Sequence, residues 1–121
     1  MCLTFIAPVL LPIAITTNAV LAQYSDARGI ELHPAVCEWD RGAQLFAIFH
    51  EEAHGVYGHQ SRRLSGEGIK PQELEADLHA IRRLKNLGYD ACKAVTQILQ
   101  FRPEASATHP SASELRSAAC G

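Results

Sequence analysis

The chain has 121 residues, 11 Lys+Arg against 13 Asp+Glu, and a formal net charge of -2. That length supports one domain and excludes two cores of ordinary size. The charge balance offers no basic field to a phosphate backbone, so nucleic acid is not an expected partner. With 47% hydrophobic and 20% charged residues, the composition is that of a globular chain.

Met1 to Ser25 carries no Asp, Glu, Lys or Arg, and Leu3 to Ile15 is almost wholly apolar; the first charge is Asp26. With Val20 and Ala22 in the small-residue cleavage positions, this stretch fits a secretory signal that ends at Ala22. Residues 1–22 are then a removable leader, residues 23–121 a single domain, and the expected location secreted or periplasmic. No Lys or Arg precedes the apolar run, and Pro8 and Pro12 interrupt it. A retained membrane anchor and a buried segment of the domain therefore stay open as alternatives, and a membrane partner is expected only if the segment is retained. Of the four cysteines, Cys2 leaves with the leader. Cys37, Cys92 and Cys120 then allow one disulfide with one thiol left over, in a pairing the spacing does not choose. A Cys92 to Cys120 bond would staple the C-terminal segment to the helix before it.

Gly29 to His33 is the one strand candidate, stopped by Pro34. From Arg41 the period changes: Leu45, Ile48, Phe49, Ala53 and Val56 recur at steps of three and four, which predicts a helix with one apolar face, ended near Gly55 and Gly58. A polar connection, Gln60 to Lys70, leads to a second helix starting at Pro71, with the stripe Leu74, Leu78, Ile81 and Leu84 and a stop at Gly88. Asp90 caps a third helix from Ala91 to about Leu99. Ser111 and Glu114 form a capping box for a short last helix toward Ala119. The expected fold class is mainly α, or α+β with a rudimentary sheet, in which the first helix packs antiparallel to a glutamate-bearing second helix.

His50-Glu-Glu-Ala-His54 lies within the first predicted helix. Two His four apart share a face and bring both imidazoles to one metal, while Glu51 borders that face as a general base. Chance would place this pattern in such a composition only about 0.02 times. A catalytic zinc site needs a third protein ligand and an open position. Glu73 and Asp77, four apart on the second helix, supply a third ligand and an acceptor for the outer N–H of a ligating His. These carboxylates are expected on a face separate from the Leu74, Leu78 and Ile81 stripe.

With these residues the sequence resembles the gluzincin zinc metallopeptidases, and among them the HtpX-like and CAAX-prenyl-protease-like family. The likeness covers His50 to Ala80, including Glu73-Leu-Glu-Ala-Asp77 with Ala80, and extends loosely to Thr108-His109-Pro110. The resemblance implies zinc on His50, His54 and Glu73, Glu51 as general base, and Asp77 supporting His50.

Rival assignments are weighed beside these. His59 is an alternative third ligand that a continuing helix would turn away from the site, and Glu75 is a rival for Glu73 that lacks an Asp four residues on. Glu52, His79 and the Arg62-Arg63 and Arg82-Arg83 pairs read as solvated surface. His109 is either a loop histidine or a catalytic group on the open side of the metal, stabilising an oxyanion or occupying the fourth position. The expected function is a zinc-dependent endopeptidase acting on a protein or peptide, with Zn2+ as cofactor. The alternative is a zinc-stabilised binding or chaperone-like module with a degenerate or latent site, favoured by the scarcity of strand.

Overall fold

The computed structural model describes residues 11–19, 21–59, 69–101 and 112–121. Among these residues the chain runs β1 (Ile13–Ile15), β2 (Ala22–Ser25), β3 (Gly29–Leu32), a 3-10 turn (Pro34–Glu38), then α1 (Arg41–Val56), α2 (Ile69–Asn86), α3 (Ala91–Ile98) and α4 (Ala112–Cys120). The fold is mainly helical with one small sheet, as the periodicities predict.

The sheet has the order β1-β3-β2, with β1 parallel and β2 antiparallel to β3. Alternation along β3 sends Ile30 and Leu32 into the core and places Glu31 on the other face, where it accepts from Gln23 Nε2 at 3.1 Å. β1 lies inside the stretch assigned above to a removable leader. In the 121-residue chain it is one of the two edge strands, and Leu11, Ile13 and Ile15 pack on the core. Cleavage after Ala22 would remove β1 and leave β3 paired on one edge only. No described helix is long and apolar enough to cross a membrane.

α1 is the central element, and it is buried on more than the one face expected. Residues 43–53 are all buried, with Phe46, Ile48 and Phe49 wholly enclosed between the sheet and the other helices, whereas Val56 is 63% exposed. Gly55 explains how the sheet lies so near: a Cβ there would stand 2.9 Å from the Tyr24 ring of β2. A larger residue there would force the Tyr24 ring to move.

The α2 stripe also differs from expectation. Its inward residues are Ala76, Asp77, Ala80, Ile81 and Leu84, while Leu78 is 38% exposed. The buried row thus steps through Ala76, Ala80 and Leu84, and the small side chains of Ala76 and Ala80 let α2 approach α1. The carboxylates of Glu73 and Asp77 continue the packed row at steps of three and four instead of occupying a separate face.

α3 has Asp90 as its N-cap, accepting from Lys93 N at 3.0 Å. Cys92 and Cys120 are bonded, which staples α4 to α3 across 28 residues of sequence. The entropy of closing such a loop in the unfolded chain corresponds to about 3–4 kcal/mol of stabilisation. Cys37 is disulfide-bonded too, so the expected leftover thiol is absent and no described cysteine is free. That expectation rested on losing Cys2 with the leader.

Candidate metal centre

α1 and α2 meet with their chain directions opposed: His59, Tyr57, Glu52 and Phe49 on the α1 side meet, in turn, Glu75, His79 and Arg82, His79 and Arg83, and Arg83 on the α2 side. Antiparallel packing of this pair is as the sequence predicts. It brings one end of α2 over the middle of α1, and with it Glu73 and Asp77 over His50 and His54.

The geometry there is convergent. His50 Nε2 and His54 Nε2 are 3.2 Å apart, and Glu73 reaches both, Oε2 at 2.9 Å from His50 Nε2 and Oε1 at 3.5 Å from His54 Nε2. Ligand atoms arranged tetrahedrally around zinc at ordinary bond lengths stand about 3.3 Å from one another. The two imidazole nitrogens and the Glu73 carboxylate, which meets each of them with a different oxygen, have spacings of that order. Glu51 also lies near, its carboxylate and the two imidazoles falling within 4.8 Å of one another. At 3.8 Å from His50 Nε2, however, Glu51 stands farther off than Glu73. Glu73 is thus the nearer of the two carboxylates to the paired imidazoles, and Glu51 stands beside the cluster.

The nitrogens that do not converge are occupied. His50 Nδ1 faces Asp77 Oδ1 at 2.7 Å, and Asp77 is 0% exposed. His54 Nδ1 faces His59 Nδ1 at 2.9 Å. Occupied Nδ1 atoms with aligned Nε2 atoms are the chemistry of a donor set suited to a metal ion. The donor set could hold a metal ion, with His50 and His54 joined by the Glu73 or the Glu51 carboxylate.

Electrostatics agree with the geometry. Burial pushes His50 toward the neutral form, but the charge and hydrogen bond of Asp77, with Glu73 and Glu51 behind them, outweigh it and raise His50 from 6.5 to about 10. Burial likewise pushes Glu73 up, and hydrogen bonds and charge from His50 and His54 bring it well below the usual carboxylate range. Without metal, the centre is thus a buried imidazolium–carboxylate pair, and a bound cation would replace the proton on His50.

Three residues read as surface are not. Glu52 and His79 are buried and bonded to each other, His79 Nε2 to Glu52 Oε1 at 2.7 Å. Arg83 clasps the same carboxylate, Nε to Oε1 and Nη2 to Oε2 at 3.2 Å each, with its guanidinium 4.7 Å from the Phe49 ring centroid. Burial raises the Glu52 carboxyl, and His79 and Arg83 more than reverse that, so it is held below its ordinary value. The α2 rotation that exposes Leu78 turns His79 inward, which is why the surface reading fails.

His59 is the other correction. A continuing helix would carry it away, but α1 ends in a Schellman cap: His59 N donates to His54 O at 3.0 Å and Gly58 N to Gly55 O at 3.2 Å, with Gly58 at φ +65°. The left-handed glycine folds the chain back and sets His59 beneath His54. A glycine one residue before the histidine was the signal available in the sequence. His109 lies outside the described residues. No family model, curated protein or solved structure matches the chain.

Proposed function

We propose that the chain is a zinc metallopeptidase of gluzincin type, with His50, His54 and Glu73 holding the ion and Glu51 as general base. One observation carries this reading: two imidazole nitrogens and the two oxygens of one carboxylate, from two helices, approach at 2.9 to 3.5 Å while a further group, Glu51, stands beside them at 3.8 Å. Zinc at that position supplies Lewis acidity toward a peptide carbonyl and makes a water acidic near neutral pH. The Glu51 carboxylate takes the proton of the attacking water and delivers it to the leaving amine nitrogen. Asp77 holds the Nδ1 proton of His50, so that the Nε2 lone pair stays directed at the ion. The Cys92–Cys120 bond supports activity in an oxidising compartment.

The test is zinc content of the purified chain together with hydrolysis of an unfolded protein, with and without chelator. Glu51→Gln is expected to keep zinc at the wild-type ratio and lose about 10²–10⁴-fold in hydrolysis. Full activity in that variant removes Glu51 from the mechanism. A second reading, a zinc-stabilised binding module, is favoured by the shortness of the strands, three or four residues each, which leaves little sheet to hold an extended substrate. Zinc uptake by the wild type without cleavage of any unfolded substrate selects that reading.

A further inference from the structure

His54 and His50 are held by different devices. The outer nitrogen of His50 meets a carboxylate directly, whereas that of His54 meets another imidazole. A contact of 2.9 Å between two Nδ1 atoms requires one to donate and the other to accept. The far side of His59 decides which. His59 Nε2 faces Glu75 Oε1 at 2.5 Å, and an ionised carboxylate only accepts, so the proton of a neutral His59 sits on Nε2 and its Nδ1 is bare. With a cation at the centre, His54 would then donate from Nδ1 and offer its Nε2 lone pair to the ion, in place of the hydrogen bond that it gives Glu73 in the metal-free chain. A His59 that donated from both nitrogens would force the proton of a neutral His54 onto Nε2, where it would occupy the cation's place.

We propose that His59 and Glu75 form a positioning relay for the metal centre, in which Glu75 fixes the tautomer of His59 and His59 fixes the tautomer and ring orientation of His54. The inference rests on the zinc reading above. Three placements support it independently of any motif. The Schellman cap at Gly58 turns His59 back under His54. His59 is buried, with the Tyr57 ring stacked on it at 5.9 Å between centroids. Glu75 sits two residues from Glu73 on α2, so the helix that supplies the third ligand also supplies the end of the relay. Its side chain is 48% exposed, against 0% for Asp77, which makes this the weaker of the two supports.

The experiment measures zinc affinity by competition with a chelating dye, using the whole chain and His59→Phe, His59→Asn and Glu75→Gln. His59→Phe keeps the ring shape and removes the acceptor; its zinc Kd is expected to rise about 10–100-fold. His59→Asn offers an amide oxygen in place of Nδ1 and is expected to recover most of that loss, and Glu75→Gln to cost about 3–10-fold. In the zinc-loaded wild type, two-bond 1H–15N NMR is expected to place the protons on His54 Nδ1 and His59 Nε2. A relay that merely ties the end of α1 to α2 would lower metal-free stability in all three variants and leave the Kd of the folded protein unchanged; that result, or a Kd for His59→Phe within about twofold of wild type, overturns the proposal. Glu75→Gln, altered at a largely exposed side chain, keeps the test open if His59→Phe does not fold. A wild-type chain that takes up no zinc fails the metal-centre reading and the relay with it, whereas zinc uptake equal in wild type and variants fails the relay alone.

Discussion

Two polar clusters cross the seam between α1 and α2, built from the same residue types and buried to similar depth, yet they differ in what they leave unsatisfied. In the clamp, Glu52 receives a proton donor from His79 and a forked pair from Arg83, so each oxygen has a cationic or N–H partner. In the other cluster, His50 Nε2 and His54 Nε2 face each other and the two oxygens of Glu73, all of them lone-pair donors in their neutral or anionic forms. The clamp is closed by its own complementary groups, whereas in the other cluster the proton on His50 joins imidazole to carboxylate in the metal-free chain, and a bound cation would take that proton's place. The difference is one of register: the stretch from His79 to Arg83 on α2 sets a base and a guanidinium against an acid on α1, whereas Glu73 and Asp77 set acids against bases that already share a helix face.

Removing Asp77 should separate the clusters most sharply. It is the wholly buried partner of a raised histidine, and breaking a buried pair from one side costs about 3–5 kcal/mol. Asp77→Ala is therefore expected to lose that much stability in chelator, by urea denaturation, and to weaken zinc binding about 10–100-fold. The pH dependence follows from sign. His50 is raised from 6.5 to about 10, so its stabilisation of the metal-free fold is full below pH 6.5 and is lost as the pH climbs through about 10. Asp77→Ala should flatten that alkaline limb, and an unchanged slope between pH 6.5 and 10 would contradict the pairing.

The clamp should respond in the opposite way. Glu52→Gln keeps an acceptor but loses the charge that holds Arg83 and His79, and is expected to cost about 1–3 kcal/mol while changing zinc Kd by less than about threefold. Glu52 is held below its ordinary value, so its contribution is present above pH 4.5 and disappears as the pH falls through the depressed value. The variant should reduce the steepness of acid unfolding, with Glu73 accounting for slope that remains. A large loss of zinc affinity in Glu52→Gln would mean that the clamp sets ligand geometry and the two clusters are one unit.

Much of this was legible from local pattern. α1 begins at Arg41 and ends at Val56, between the two glycines read as its stop, Asp90 caps α3, and β3 appears between Gly29 and Leu32, because caps, glycines and prolines act within a few residues. The pair His50 and His54 and the carboxylates Glu73 and Asp77 also announce themselves, since i,i+4 spacing fixes which residues share a face. What the pattern could not supply was rotation about a helix axis. On α2, leucines at 74 and 78 and alanines at 76 and 80 offer rival stripes, and hydrophobicity favours the leucines. Close approach of α1 favours the alanines, and with them come His79 inward and Leu78 outward. Strand β1 was hidden by a different ambiguity, as an apolar N-terminal run reads as a leader whether or not it pairs with β3, and β2, the four residues Ala22–Ser25, is too short and polar to show an alternating pattern. Glu75 and His59 needed the cap geometry of Gly58, a three-dimensional fact with only one letter of sequence behind it.

That rotation yields the smallest and cleanest prediction. If the alanine row faces α1, Leu78 contributes little to the core, and Leu78→Ser should shift stability by no more than about 0.5 kcal/mol, the usual effect of a surface substitution. Ala80→Leu, inserting bulk where α1 and α2 touch, should cost about 1–3 kcal/mol and push Glu73 away from both imidazoles, so that zinc affinity falls with stability. The reverse outcome, a large loss at Leu78 and tolerance at Ala80, would turn α2 by close to half a circle, since residues two apart on a helix stand about 160° from each other. It would carry Glu73 and Asp77 off the seam, exchange the roles of the two clusters, and leave His50 and His54 without their third partner.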